Sequence, residues 1–369
     1  MKYFSRKPAL IVSILFKKKG AVGGMAQRFS LVGAKLIESG ANVELLATRS
    51  LGDEFGFEAG ARIHLIEDAE RNIPFRSWFL LCFLLVKVAF GRYRQVHIAG
   101  AGRLLKPILL AARISRTRTS CTFASRTLEM ASYGRDADRR RWVELLDSVD
   151  AIDVLNPGHD LDRWKDKISV SPCSFPSKKD SLGEFSGGSK DVLAVFCGAL
   201  EKNKNPLLAL DIVLDYWQAY GSVTKLVIFG KGVLETEVRD RMEQINKQVG
   251  VEVARFGNFE CFSETLQAAN VFFSLQELDN YPSQAAMEGM LMGCKVIATD
   301  EGDTRLLLPE SEPLNAVVRS RDAKDFISYL RLANEDLRPS IENANHIQRN
   351  HNLERFSNYL ASFLGERSE

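Results

Sequence analysis

The sequence predicts an α/β protein built from two Rossmann-like domains in tandem. Three observations predict it: apolar runs alternate with helical patterns in both halves, a polar segment interrupts them midway, and 369 residues exceed what one core usually organises. Alternating strands and helices favour mostly parallel sheets covered on both faces. Because ligands of such sheets bind beyond the carboxyl ends of the strands, we expect a ligand in a cleft between the domains.

The first half supplies the elements of one sheet. Phe29, Val32 and Leu36 recur at helical spacing. The apolar run 9–16 is followed by three lysines rather than a small-residue cleavage site, so it predicts a first strand rather than a signal peptide. Strands are predicted at 9–16, 43–47, 62–65, 95–99 and 119–124, and helices at 24–39, 77–90 and 103–112.

The most apolar stretch is SWFLLCFLLVKVAFG at 77–91. It is too short to span a bilayer and is interrupted by Lys87. We interpret it as a helix buried against the sheet, with a helix lying on a membrane surface as the alternative.

The polar segment 174–191, rich in Ser, Gly, Lys and Pro, predicts an interdomain linker. The expected division is a first domain at 1–175, a linker at 176–190, a second domain at 191–345 and a C-terminal helix at 346–369 that packs back on the first domain. In the second domain, strands are predicted at 192–197, 225–229, 251–256, 271–275 and 295–299, and helices at 206–220, 234–249, 263–269 and within 283–294.

The distribution of charge indicates which partners the chain could bind, and the spacing of the cysteines argues against a structural zinc site. Residues 1–170 hold 28 Lys and Arg against 18 Asp and Glu, whereas the remainder holds 21 against 29. A basic half attracts nucleic acid, anionic lipid or a phosphorylated acceptor, and charge alone does not separate these. The six cysteines form no CxxC pair and read as reduced core thiols, which favours a cytosolic protein without structural zinc.

One carboxylate stands alone in an otherwise uncharged helix. Glu288 is the only charged residue from Ser283 to Cys294, and a buried strand follows. Burying a lone carboxylate costs several kcal/mol unless something pairs with it. Glu288 therefore either has a structural partner, an unseen Arg or Lys, or faces a ligand.

Three loops of the second half place glycine or a helix start directly after a strand. They are 197–206 (CGALEKNKNP), 229–232 (FGKG) and 279–284 (DNYPSQ). Pro282 and Ser283 favour a helix start, whose backbone amides can bind an anion, and Lys204 and Lys231 add positive charge. Glycine after a strand is more often a plain turn, so the order of the three loops carries more information than any one of them.

The order of these segments resembles the GT-B glycosyltransferases, and within them the retaining family 4. GAVGGMAQRFSLVGAKLIESGANVELLAT resembles the family's first glycine loop, helix and second strand. VFCGALEKNKNP, FGKG and the stretch from Tyr281 to Thr304 resemble its later motifs, and the likeness extends over nearly the whole chain.

The resemblance implies a donor site in the second domain. It places Glu288 on the ribose hydroxyls and Lys204 on the donor diphosphate, with the amides of Ser283 and Gln284 facing that diphosphate. The implied catalytic residues are Glu288, Lys204, Asp279 and Asn280, and the implied nucleotide-sugar contacts are Gly23, Gly24, Gly198, Gly230, Gly232, Tyr281, Pro282, Ser283, Gln284 and Glu288.

The chain departs from the family at two positions. Ala199 stands where an arginine usually binds phosphate, and Asn280 stands where a second glutamate usually contacts the sugar, although Asp279 or Glu277 could take that role. We name no general base: Arg126 and Glu129 are polar candidates that fit a structural or acceptor-facing role, and His97 is a further candidate, although an isolated histidine is usually packed or exposed.

The implied function is retaining transfer of a sugar from a nucleotide-sugar, a UDP- or GDP-sugar, to a glycan or lipid-linked saccharide in cell-surface polysaccharide synthesis such as that of lipopolysaccharide. We expect no cofactor, no metal and no nucleic acid, and a cytoplasmic location with peripheral contact of the basic half at the inner membrane face. The alternative is a catalytically weakened GT-B-like protein that binds nucleotide or glycan as a partner.

Overall fold

The computed structural model describes residues 7–13, 24–67, 75–99, 105–123, 136–155, 162–176, 191–278 and 281–365. The chain divides into two compact units. Residues 1–177 and 353–369 form the first unit, and residues 178–352 form the second.

The first unit is a seven-stranded parallel sheet in the order β3-β2-β1-β4-β5-β6-β7. Its strands are β1 (Ala9–Ser13), β2 (Val43–Thr48), β3 (Ile63–Ile66), β4 (Gln95–Ala99), β5 (Arg118–Phe123), β6 (Ala151–Val154) and β7 (Ile168–Val170). Its helices are α1 (Gly24–Glu38), α2 (Arg49–Phe55), α3 (Phe75–Ala89), α4 (Leu105–Ser115) and α5 (Asp136–Ser148). Helices α3, α4 and α5 share one core with the strands, and α1 belongs to the other.

The second unit is a six-stranded parallel sheet in the order β10-β9-β8-β11-β12-β13. Its strands are β8 (Asp191–Cys197), β9 (Lys225–Phe229), β10 (Ala254–Phe256), β11 (Ala269–Ser274), β12 (Lys295–Thr299) and β13 (Ala316–Val318). Its helices are α6 (Pro206–Tyr220), α7 (Glu235–Val249), α8 (Phe262–Ala268), α9 (Gln284–Leu291), α10 (Ile327–Glu335) and α11 (Ile341–Asn350). The strand order reverses between β8 and β11, and ligands of parallel sheets bind beside such a reversal.

The last helix, α12 (Leu353–Phe363), packs in the first unit. Phe356 and Leu360 are fully buried beside α1 and Phe175. It begins at Leu353 rather than at residue 346, because residues 346–350 close α11 in the second unit. The predicted tail is therefore two helices that belong to different units.

Two predictions about apolar residues are wrong in part. All six cysteines are free thiols, as predicted, but Cys82 and Cys261 are exposed and do not lie in the core. Helix α3 is buried on one side only: Leu81, Leu84 and Val88 lie in the core, while the opposite side faces solvent. No helix among the described residues is long and apolar enough to cross a bilayer.

Candidate functional site

Most of the predicted site residues lie at one edge of the second sheet. Because β8, β9, β11 and β12 are parallel, the segments that follow them meet at the carboxyl edge. Gly24 opens α1 in the first unit. Gly23, Asp279 and Asn280 lie outside the described residues.

The first two loops are joined by backbone hydrogen bonds. The amide of Gly198 donates to the Phe229 carbonyl at 3.0 Å, and the amide of Leu200 donates to the Lys231 carbonyl at 3.1 Å. A Cβ at Gly230 would lie 2.0 Å from the Gly198 carbonyl oxygen, and one at Gly232 would lie 2.4 Å from the carbonyl oxygen of Leu200. Both glycines are therefore required by the packing of one loop on the other, whatever the loops bind.

The two lysines of the first loop have different surroundings. Lys202 is exposed and Lys204 is half-buried at the end of a short 3-10 turn, where its side chain passes Gly198. The backbone carbonyl of Asn203, the residue before Lys204, accepts a hydrogen bond from the Glu277 amide at 2.9 Å. The Lys204 loop is thus fixed to the segment that follows β11, directly at the reversal of strand order.

Helix α9 begins at the same edge. Ser283 has extended backbone angles and its hydroxyl accepts a hydrogen bond from the Ala286 amide at 3.4 Å, so it is the N-cap of the helix. The Tyr281–Pro282 peptide bond is cis, and Pro282 is buried. The prediction that a helix starts at Pro282 and Ser283 agrees with this geometry.

Glu288 lies on the second turn of α9 and is only 6% exposed. Its neighbour Gly289 faces Phe272 of β11, where a Cβ would meet the ring at 2.9 Å, and Met287 and Met290 belong to the core. Gln284, four residues earlier, shares the helix face of Glu288. Glu288 also has an interaction partner in the chain, so burial alone does not require a ligand.

A small concave pocket lies against the start of α9. Within it, the amide nitrogen of Gln276 lies 3.4 Å from the Thr304 hydroxyl, and the Ser274 hydroxyl donates to the amide oxygen of Gln276 at 3.2 Å. The lining includes the predicted residues Tyr281 and Ser283, but neither Lys204 nor Glu288. Sequence reasoning missed Ser274, Gln276 and Thr304, because single polar residues after strands form no distinctive pattern.

Charged groups also meet at this edge. Arg321 contacts the carboxylates of Glu301 at 2.9 Å and Glu277 at 3.9 Å. Glu277, predicted as a substitute sugar ligand, therefore lies beside a cation. Hydrogen bonds from Arg305, joined by Arg319, lower the pKa of Asp300. Arg321 was not predicted, because its partners are distant in the sequence.

His97, the polar candidate of the first unit that the structure describes, belongs to a buried network. His97 is fully buried, with Nδ1 2.9 Å from the Ser120 hydroxyl and Nε2 2.9 Å from the Thr122 hydroxyl, and burial lowers its pKa to about 3. Thr122 in turn donates to Asp153 at 2.8 Å. His97 is thus a neutral member of a buried network. Arg126 and Glu129 lie outside the described residues.

Among the described residues, no three His, Cys, Asp or Glu side chains are grouped to hold a metal ion.

Sequence comparison finds two matches, each over part of the chain. Residues 181–351 match the family model described as glycosyl transferases group 1. Over 117 residues the chain is 26% identical to a GalNAc-α-(1→4)-GalNAc-α-(1→3)-diNAcBac-PP-undecaprenol α-1,4-N-acetyl-D-galactosaminyltransferase of Campylobacter jejuni subsp. jejuni serotype O:2. The match spans 32% of this chain and 31% of that enzyme.

Solved structures match nearly the whole chain. HepE of Anabaena, solved with UDP and glucose, aligns with a TM-score of 0.71 at 12% identity, covering 98% of this chain and 100% of that one. Sucrose-phosphate synthase of Thermosynechococcus elongatus aligns with a TM-score of 0.68 at 16% identity, covering 98% and 99%. The pneumococcal O-GlcNAc transferase GtfA, solved with UDP and GlcNAc, aligns with a TM-score of 0.70 at 9% identity, covering 98% and 99%. At these identities the likeness establishes the fold.

Proposed function

The chain has the GT-B glycosyltransferase fold and its second unit matches glycosyl transferases group 1; from this premise we propose that it is a retaining, metal-independent hexosyltransferase of family 4. It would move a sugar from a nucleotide-sugar to a glycan or lipid-linked saccharide. The observation that carries the proposal is the meeting of the Lys204 loop and the segment leading into α9 where the strand order reverses.

Each part of this edge has a role in binding the donor. Glu288 would accept hydrogen bonds from the ribose hydroxyls, as charge-assisted bonds that offset its burial. Lys204 and the first amides of α9 would hold the diphosphate. Gly198, Gly230 and Gly232 shape the loops beneath it.

The proposed chemistry needs no general base from the protein. The acceptor hydroxyl oxygen bonds to the anomeric carbon as the bond from that carbon to the diphosphate oxygen breaks, on the same face of the sugar. The departing phosphate takes the hydroxyl proton, and the nucleoside diphosphate leaves. The protein then contributes positioning and stabilisation of the leaving charge, which fits a site of lysine and amide donors.

The proposal for the acceptor is supported by the curated relative and by the positive charge of the first half of the chain. That relative acts, by its name, on a saccharide attached to undecaprenyl diphosphate. We propose an acceptor of the same broad class, a lipid-linked saccharide, met at the cytoplasmic face of a membrane. The net positive charge of residues 1–170 supports contact with anionic lipid there.

A second candidate function is binding without transfer. Ala199 is exposed at the edge and offers no charge to a phosphate, and Glu277, a candidate substitute for the missing sugar ligand, lies 3.9 Å from Arg321. Both features favour a weakened enzyme that serves as a binding partner. Hydrolysis or transfer of the donor by the purified protein separates the two.

The test is calorimetric binding of UDP-, GDP-, ADP- and CMP-sugars to the wild type, to Glu288→Gln and to the control Glu264→Gln, an exposed carboxylate on α8. We expect one nucleotide to bind and only the Glu288 variant to lose it. At a hundredfold its Kd, the donor should raise the free energy of unfolding by about 2.7 kcal/mol, which a thermal shift detects. Failure of every nucleotide to bind the folded wild type would overturn the proposal.

A further inference from the structure

Helices α3 and α4 expose a continuous apolar surface on the first unit. Side chains between 45% and 79% exposed follow the outer face of α3 and its last turn, and α4 adds two more. We call this set the α3–α4 surface: Trp78, Phe79, Phe83, Val86, Phe90, Leu110 and Ile114. Exposure of this many large apolar side chains on one face marks an interaction site rather than ordinary surface.

The spacing shows that α3 has two apolar sides. Ser77, Leu81, Leu84 and Val88 recur at helical intervals and are buried, whereas the exposed side chains occupy the intervals between them. Helix α3 therefore has more apolar side chains than its packing against the core of the first unit requires.

The two helices lie side by side at their carboxyl ends. A Cβ at Gly91 would lie 3.5 Å from Cβ of Ser115, so the backbone just after α3 touches the end of α4. Phe90 and Ile114, the residues immediately before these two, are 79% and 69% exposed. The apolar surface thus extends across both helices.

The charges around the surface select an anionic partner. Residues 71–128, which contain both helices, hold eleven Lys and Arg and no Asp or Glu. Arg92, Arg113 and Arg116 are exposed beside the last turns of α3 and α4. The ammonium of Lys87 binds Glu44 at 2.8 Å and lies 5.6 Å from the centre of the Phe83 ring, and Lys106 lies 3.8 Å from Glu144 of α5.

We propose that the α3–α4 surface lies in the interface of an anionic lipid bilayer, with the aromatic side chains among the acyl chains and the arginines at the headgroups. Helix α3 has 15 residues, a length of about 22 Å, which suits lying on a bilayer rather than crossing it. Trp and Phe on one side with Arg at the margin are the composition of interfacial helices. This inference rests on the proposed function, because membrane binding would hold the enzyme where a lipid-linked acceptor lies.

The experiment is sedimentation of the full chain with vesicles of phosphatidylcholine alone and of phosphatidylcholine mixed with phosphatidylglycerol. We expect binding to the mixed vesicles that weakens with added salt. The triple variant Phe79→Ser/Phe83→Ser/Phe90→Ser should bind about a thousandfold more weakly, because each buried Phe contributes roughly a factor of ten. Arg113→Glu/Arg116→Glu should lose the preference for the anionic vesicles.

The controls use exposed residues of the second unit. Leu332→Ser/Ile341→Ser removes two exposed apolar side chains from α10 and α11, and Lys247→Glu/Arg255→Glu reverses two exposed cations. Both should leave vesicle binding unchanged. Trp78→Phe should keep binding but abolish quenching of tryptophan fluorescence by brominated lipid, since it removes the tryptophan placed among the acyl chains.

Retention of full vesicle binding by a folded triple variant would overturn the proposal. A second result would also overturn it: the wild type binds neither kind of vesicle and sediments as a dimer, whereas the triple variant sediments as a monomer. The α3–α4 surface would then join two copies of the chain. Donor binding is measured on the same samples. If the protein binds the donor but no vesicle, only the membrane proposal is contradicted. If it binds vesicles but no nucleotide, only the proposed transferase function is contradicted.

Discussion

The two sheets bury their polar groups in different places. In the first unit, His97, Thr122 and Asp153 lie on the strands themselves, each bonded to a neighbour on the adjacent strand. In the second unit, Lys204 and Glu288 lie in a loop and a helix that follow strands. The comparison teaches that position in a parallel sheet, more than burial or residue type, separates a polar group that holds strands together from one that the proposed function assigns to a ligand.

The network of the first sheet is internally complete. The Gln95 amide donates to the Ser120 hydroxyl at 2.7 Å, and a His97 tautomer protonated on Nε2 can accept from Ser120 and donate to Thr122. The chain of donors ends on Asp153, which also accepts from Ser171 and Tyr359, each at 2.7 Å. Each of these groups has a hydrogen-bond partner on a neighbouring segment of the first unit, which gives the network a structural explanation.

The largest expected effect is that of Asp153→Ala. The substitution leaves the hydroxyls of Thr122, Ser171 and Tyr359 without their acceptor, and we expect the first unit to lose about 3 kcal/mol in its free energy of unfolding. Hydrogen exchange of the amides of β4, β5 and β6 measures it. The control Glu144→Ala removes an exposed carboxylate and should cost less than about 0.5 kcal/mol. Equal costs for the two variants would refute the assignment of the network to stability.

A smaller effect, on binding instead of stability, is expected at the edge of the second sheet. Lys204→Met should weaken donor binding about tenfold to a hundredfold, the value of a charge-assisted hydrogen bond. Lys202→Met, two residues away and exposed, should change it little. Isothermal titration with the donor compares them. If the two variants lose affinity equally, the loop contributes only diffuse positive charge and Lys204 has no specific role.

The third expected effect is the pH dependence of stability that His97 contributes in the first sheet. The pKa of His97 is lowered from 6.5 to about 3 by burial, so between these values the unfolded chain binds a proton that the folded chain does not. The contribution of His97 to stability is therefore present above pH 6.5 and decreases as the pH falls, by about 1.4 kcal/mol per pH unit. In His97→Gln this slope should be absent, as urea unfolding between about pH 5 and pH 7 would show. An unchanged slope would mean that another group causes the acid sensitivity.

The regular elements could be predicted where pattern and length agree. Strands β4, β9 and β12 and helix α6 have the predicted bounds, because long apolar periodicity between turn residues specifies them. Strands β7 and β13, with three residues each, and β6, with four, were not predicted, and the three-residue strand β10 was predicted too long, at 251–256, since so short a run has no measurable period. Helix α3 was predicted to be buried, because an all-apolar pattern does not indicate which side meets the core.

The site was predictable in its parts but not in its contacts. Glycines, helix starts and Glu288 were visible as local patterns, and the structure places the described ones of the second unit at one sheet edge. The hydrogen bond between Asn203 and Glu277 and the pairing of Arg321 join residues far apart in the chain, so only the fold reveals them. Those contacts fix the Lys204 loop in space.

The course of the chain also orders events during synthesis. Residues 178–352 form a continuous unit, whereas the first unit gains α12 only after that whole segment has been translated. The bond from Tyr359 to Asp153 joins residues separated by 206 positions. On the ribosome the second unit can therefore mature while the first still lacks a helix of its core, and Phe175 gains the ring of Phe356 that packs on it only when α12 has been made.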